Sequence, residues 1–359
     1  APVAEGAAPK VEVSSAQRFV VMALSRTDGE VLWERTATET KPNEGTHLDG
    51  SWASASPITD GERLFAFFGS YGIYAYDLDG KLLWSKDLGD MQTRNAFGEG
   101  SSPAVWGDTL VINWDHEGDS FIVALDKHTG EERWRVARPG ERTSWSTPLV
   151  VAEGGKPQVI VAATERSRGY DLATGEVLWQ AGGMTVNVIP SPVYADGMVY
   201  LMSGFRGSAL QAIRLSEAKG ELSGPPAIVW SHDRDTPYVP SPLLYDGKLY
   251  FLKVNTGILS VLDAKTGQVL YNEQRLDGIQ GVYASPVGAA GRVYLVGRNG
   301  VTLVLKNGDR FEQLASNTLD DRFDASPAVV GGEIFLRGHK HLYCLAQDAR
   351  SSTTQPSLR

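Results

Sequence analysis

Short runs of alternating apolar and polar residues recur along this chain, separated by tight-turn residues at regular distances. From Ser191 the text reads Ser-Pro-Val-Tyr-Ala-Asp-Gly, Met-Val-Tyr-Leu-Met-Ser-Gly, then Leu210–Leu215 and Ile228-Val-Trp230. From Ser241 it reads Ser-Pro-Leu-Leu-Tyr-Asp-Gly, Lys-Leu-Tyr-Phe-Leu, Leu259–Gly267 and Gln-Val-Leu-Tyr271. Each unit holds four segments rich in β-branched and aromatic residues, punctuated by Asp-Gly and Thr-Gly pairs, which predicts a four-stranded antiparallel meander, A to D.

A Ser/Thr-Pro dipeptide opens strand A seven times, ending at Pro57, Pro103, Pro148, Pro192, Pro242, Pro286 and Pro327. An aromatic closes strand D in step with it: Trp33, Trp84, Trp134, Trp179, Trp230 and Tyr271. One such sheet cannot bury both faces alone, so the units must stack. A sandwich or an open solenoid leaves the registered tryptophan unexplained; blades arranged radially in a β-propeller account for it. Trp84, Trp134 and Trp179 are expected to be buried between blades.

The ends of the chain bear on the blade count. Arg18 to Trp33 reads as strands C and D of a blade without A and B, while Ser326 to Leu345 supplies A, B and C without D. The reading favoured by this mismatch is an eight-bladed ring with incomplete terminal blades; the alternative is a seven-bladed ring. Residues 17–347 form the single propeller domain in this reading, with a flexible arm over 1–16 and a flexible tail over 348–359.

Composition narrows the partners. The formal charge is −9 without a Lys/Arg run, which argues against nucleic acid. The single cysteine, Cys344, excludes an intramolecular disulfide. No apolar stretch approaches the ~18 residues of a membrane span. A monomer is expected.

The text Leu125-Asp-Lys-His-Thr-Gly-Glu-Glu-Arg-Trp134, echoed by Tyr170-Asp-Leu-Ala-Thr-Gly-Glu-Val-Leu-Trp179, resembles the tryptophan-docking repeat of the PQQ-like (quinoprotein alcohol dehydrogenase-like) β-propellers. The resemblance spans Phe19 to Leu345. It implies the propeller fold and, through the family's exported members, a periplasmic or secreted location. That superfamily includes quinone-dependent dehydrogenases and the propeller lipoprotein of the outer-membrane assembly machinery, so the fold does not select a function. The dehydrogenases hold their quinone, PQQ, against two adjacent cysteines beside a divalent cation. This chain has one cysteine, so neither cofactor is expected.

Strand order places the short A–B and C–D turns at one end of each blade and the D–A and B–C connections at the other. The second set carries the chemistry-bearing side chains. Candidate ligand-binding residues there are Arg94, Asn95, Glu99, Asp115, His116, Trp145, Arg206, Tyr238, Lys253, Arg298, Arg322, Asp324 and His339. Arginines from several connections suit a carboxylate or phosphate, so an anionic or carbohydrate small molecule, or a protein partner, is the expected ligand. Asp115, His116 and Glu117 are metal-ligating types, but three consecutive loop residues do not readily face one ion, and no metal site is assigned. The favoured function is a binding or scaffold module. The alternative is an enzyme at the same face: a quinone- or metal-dependent oxidoreductase, or a carbohydrate-active lyase or hydrolase with His116 and Glu99 as base and acid.

Overall fold

A computed structural model describes residues 10–346. The N-terminal nine residues and the tail therefore lie outside the described residues. Every major element is a strand, and the strands form seven blades. The chain divides between Arg234 and Asp235 into two compact units.

The first unit holds four blades. Blade 1 runs through strands A to D at Ile58–Thr59, Arg63–Phe67, Ile73–Asp77 and Leu82–Lys86. Blade 2 uses Ala104–Trp106, Thr109–Trp114, Phe121–Asp126 and Glu132–Ala137. Blade 3 uses Leu149–Glu153, Lys156–Val161, Ser167–Asp171 and Val177–Ala181. Blade 4 uses Val193–Ala195, Met198–Ser203, Ala209–Arg214 and Ile228–His232. A hairpin, Gln17–Leu24 with Val31–Thr40, precedes them. In the second unit, blade 5 runs from Leu243 to Arg275 and blade 6 from Val287 to Thr318. Blade 7 has three strands, Ala328–Val330, Glu333–Arg337 and Leu342–Ala346.

The eight-bladed expectation is therefore corrected to seven. The hairpin at 17–40 forms a separate two-stranded sheet instead of an eighth blade. Upstream of it, the only described strand is Lys10–Val11, and this pairs with Thr46–His47.

Three repeated devices explain the sequence period. The first is an axial ladder built by the Ser/Thr-Pro dipeptides. In the first unit Ser56 N donates to Ser102 Oγ at 2.9 Å, Ser102 N to Thr147 Oγ1 at 3.2 Å, and Thr147 N to Ser191 Oγ at 3.2 Å. In the second unit Ser241 N donates to Ser285 Oγ and Ser285 N to Ser326 Oγ, each at 2.9 Å. Each hydroxyl satisfies an amide that strand A would otherwise leave without a partner in its own blade.

The second device is the Asp-x-x-Thr-Gly turn between strands C and D. Asp126 Oδ1 accepts from His128 N and Thr129 N, and Asp171 and Asp263 repeat the pattern. Such Asx bonding closes the turn locally.

The third is tryptophan docking onto the C–D turn of the following blade. Trp33 Nε1 donates to Leu78 O at 2.8 Å, Trp84 Nε1 to Lys127 O at 2.9 Å and Trp134 Nε1 to Leu172 O at 2.9 Å. The indole lies over the turn glycine. A Cβ on Gly130 would stand 2.6 Å from the Trp84 ring, and one on Gly175 would stand 2.8 Å from Trp134. Trp134 is buried, whereas Trp84 is half-buried.

Trp179 breaks the rule. It is buried, but its Nε1 donates to Gln158 Oε1 in its own blade. The cause is an insertion after strand C of blade 4: Gly220–Leu222 pairs in parallel with Trp179–Ala181 and adds a fifth strand to blade 3. Leu215, Ala218 and Leu222 pack into the same core as Trp179. The longest Ser/Thr-Pro interval, from Pro192 to Pro242, contains this insertion.

Candidate functional site

In the first unit the D–A and B–C connections of blades 1 and 2 enclose a small cavity. Its walls include Trp52, Phe67, Phe68 and Trp145, with Glu99, Asn113, Asp115 and Ser144 as the polar groups. Its volume is about 10 Å³, room for about one water molecule.

Glu99 reaches this cavity from the connection between blades 1 and 2. That connection folds around Thr93, whose amide donates to Glu44 Oε1 at 3.0 Å and whose Oγ1 accepts from Gly98 N at 3.0 Å. Trp145 Nε1 donates to Gly98 O at 2.7 Å, tying the loop to the next connection. The Glu99 carboxylate rests on the 3-10 turn Gly69–Tyr71 of blade 1. It accepts from Ser70 N at 2.6 Å and from Ser70 Oγ at 2.5 Å. A Cβ on Gly69 would fall 1.3 Å from Glu99 Oε2, so only glycine, here at φ +59°, admits the carboxylate. Burial raises the Glu99 pKa to about 7; the two Ser70 bonds oppose the shift, and the charges of Glu44 and Asp90 add to it.

Asp115 is occupied. Its oxygens take Arg138 Nε at 2.6 Å, Arg138 Nη2 at 3.0 Å, Ser144 Oγ at 2.7 Å and Asn113 Nδ2 at 3.1 Å. Both Asp115 and Arg138 side chains are fully buried. Arg138 also donates to the Tyr170 hydroxyl. Asn113 Oδ1 is buried at the cavity wall and has no hydrogen-bond partner among the described residues.

The neighbouring candidates face different ways. His116 Nδ1 accepts from Gln92 N at 3.1 Å, while Glu117 accepts from Thr143 Oγ1 at 2.9 Å. Asp115, His116 and Glu117 thus serve three separate partners. Among the described residues no three His, Cys, Asp or Glu side chains are grouped to hold a metal ion. Arg94 is anchored through its amide to Thr143 Oγ1, and Asn95 takes φ +54° at the loop tip. Arg206 is exposed on the B–C turn of blade 4, 5.4 Å from the Phe205 ring.

In the second unit, three candidates converge on the carboxylate of a fourth. Asp324 pairs with Arg298 Nε at 2.6 Å, His339 Nε2 at 2.9 Å and Arg322 Nη2 at 3.3 Å. Arg298 also stacks 3.8 Å from the Tyr283 ring centre. Lys253 is bound to Asp235 at 2.8 Å, and Tyr238 N donates to Val254 O beside it. Asp321 is a structural anchor: it accepts from Lys340 N at 3.0 Å, His341 N at 3.1 Å and Tyr343 OH at 3.2 Å.

Glu99, Asp115 and Trp145 are thus brought to one cavity, and Arg298, Arg322, Asp324 and His339 to one cluster. Sequence reasoning passed over Ser70, Arg138, Glu44 and Glu141. Ser70 had a signal in the Gly-Ser-Tyr-Gly turn at 69–72; Arg138 had none, because its partner lies 23 residues away.

The residues present do not fit a quinone of the dehydrogenase kind. The cavity beside Glu99 holds about one water, and one cysteine cannot make the adjacent pair.

Comparison with known proteins supports the fold from three directions. BamB from Moraxella catarrhalis has a similar structure, with a TM-score of 0.66 and 14% identity over 94% of this chain and 99% of that one. Quinohemoprotein alcohol dehydrogenase from Comamonas testosteroni follows with a TM-score of 0.63 and 11% identity over 90% of this chain and 68% of that one. Tetrathionate hydrolase from Acidithiobacillus ferrooxidans is 24% identical over 300 residues, covering 77% of this chain. The match spans 53% of that relative's own length. The family profile described as outer membrane protein assembly factor BamB matches residues 17–221 and 118–353. By that match the chain belongs to the BamB family of PQQ-like β-propellers.

Proposed function

We propose that this chain is an exported, periplasmic scaffold whose D–A and B–C connections bind a protein partner in outer-membrane assembly. One observation carries the reading: most charged loop residues are already engaged in local pairs, and the enclosed cavity admits about one water. Recognition then falls to the surface of the loops. Arg94 and Arg206 have no carboxylate within ion-pair distance among the described residues and suit the rim of a protein interface. Membership in the assembly-factor family supports this class of partner.

A photo-crosslinking residue at position 94 or 206, expressed in a Gram-negative host, tests this. Crosslinks to an outer-membrane assembly protein are expected from both positions and not from Thr174 on the turn end. Equal crosslinking from Thr174, or none from 94 and 206, would overturn the proposal.

A second reading, hydrolysis at the loop face, is favoured by the partly buried Glu99 acid and by the tetrathionate hydrolase likeness. Consumption of tetrathionate by the purified protein, lost in Glu99→Gln, tests it; an inactive wild type refutes it.

A further inference from the structure

The turn that carries Glu99 has a second side. Ser70 lines an open polar pocket of about 440 Å³, together with Lys41, Asn43, Tyr71, Tyr74, Lys86 and Asp90. The volume lies in the range of small-molecule sites. Thus one serine is bonded through its hydroxyl to a partly buried carboxylate and lines a ligand-sized space.

We propose that Ser70 and Glu99 form a nucleophile–base pair that cleaves small carboxylic esters bound in this pocket. Four features support it. Ser70 Oγ donates to Glu99 Oε1 at 2.5 Å, the contact an activating base must make. Met91 N donates to the same oxygen at 2.7 Å, fixing its position and leaving one lone pair uncommitted. Gly69 and Gly72, at φ +59° and +98°, bracket the serine in a sharp turn that other residues could adopt only with strain. Lys41 and Lys86 line the same pocket beside Asp87 and Asp90, and neither lysine has a carboxylate in ion-pair range among the described residues, which leaves both able to meet an oxyanion.

The step balances. Ser70 Oγ bonds to the ester carbonyl carbon while its proton passes to Glu99 Oε1. The tetrahedral oxyanion collapses, the carbon–oxygen bond to the alcohol breaks, and the leaving oxygen takes the proton from Glu99. Water then attacks the acyl-serine, giving its proton to Glu99, and Ser70 recovers a proton as the acid leaves. Glu99 titrates near neutrality, where a carboxylate can both accept and return a proton. The activity is independent of the partner-binding surface and of tetrathionate as a substrate.

Labelling with diisopropyl fluorophosphate, read by peptide mass spectrometry, tests the pair on the full chain. The expected result is one adduct, on Ser70, absent in Ser70→Ala and slowed by about 100-fold in Glu99→Gln, the scale of general-base assistance. The labelling rate of the wild type should rise with pH through about 7. No adduct on wild-type Ser70, an adduct elsewhere, or undiminished labelling of a Glu99→Gln variant with a native near-UV spectrum would each overturn it.

Discussion

Asp115→Asn isolates the charge of the buried Asp115–Arg138 pair while keeping the side chain's shape. Four donors converge on this carboxylate at 2.6 to 3.1 Å, and neither partner touches solvent. An amide can present only one oxygen, so its NH2 must face donors that approach the other one. Arg138 would meanwhile stay cationic and buried without its main countercharge. Breaking a buried pair from one side costs about 3 to 5 kcal/mol, most of it the stranded charge. The double variant Asp115→Asn/Arg138→Met should therefore recover most of the loss. It still forfeits the bond to Tyr170, worth about 1 kcal/mol. Guanidinium unfolding followed by tryptophan fluorescence reads all three differences. An Asp115→Asn loss under about 1 kcal/mol, or a double variant as unstable as the sum of the singles, would refute the assignment of an energetically coupled pair.

Four further substitutions test other parts of the structure. The folded Glu99 carboxyl titrates near 7 against an ordinary 4.5, so the native state binds this proton more tightly than the unfolded chain. The associated stability is full below about 4.5 and is lost as pH rises through 7, an effect on the order of 3 kcal/mol. Glu99→Gln should flatten that pH dependence, read as melting temperatures from pH 5 to 8. Gly130→Ala places a Cβ against the Trp84 ring at φ +74°, whereas Gly140→Ala, at φ +81°, meets nothing within 4 Å. The first should destabilise by more than the ~1 to 2 kcal/mol common to both, and equal losses would show that Trp84 yields freely. Thr147→Val removes the acceptor for Ser102 N and should cost about 1 to 3 kcal/mol in chemical denaturation.

What the chain revealed in advance follows from where each constraint lies. The blades, the Asp-x-x-Thr-Gly turns and the docking tryptophans repeat within about forty residues, so every copy announces the same mechanical need. The blade count could not be read the same way, because unmatched strands at the two ends do not state what they pair with. Trp179 looked like its fellows, yet the insertion after strand C of blade 4 took it out of the docking scheme. At the site, Glu99, Asp115 and Trp145 stood out as polar or aromatic loop residues, and the structure brings them together. Arg138 was hidden at the end of a strand, where an arginine ordinarily reads as solvent-facing. Ser70 carried a signal only as part of the Gly-Ser-Tyr-Gly segment at 69–72, which reads as a turn.

The D–A connections also repeat a device that the sequence does not show: a carboxylate that clamps a B–C turn by accepting its backbone amides. Glu141 takes Glu165 N and Arg166 N of blade 3, and Asp321 takes Lys340 N and His341 N of blade 7. Glu99 does the same for blade 1, but with one amide and one hydroxyl. The electrostatic settings differ. Burial, aided by Asp115, pushes the Glu141 carboxyl above the usual range although Arg138 and Arg168, the latter at 2.8 Å, oppose the shift. Asp321, against burial, collects amides, a tyrosine hydroxyl and the charge of Lys340, which hold its carboxyl below the usual range. Glu99 has no cation and two acidic neighbours. A clamp serving only the fold gains from remaining ionised, as Asp321 does; its stability is present above the ordinary carboxylate range and lost as pH falls. Asp321→Asn should thus lower the melting temperature at pH 7, while Glu99→Gln should raise it or leave it unchanged. If both substitutions destabilise alike at neutral pH, Glu99 is one more structural clamp and its separation from Asp321 disappears.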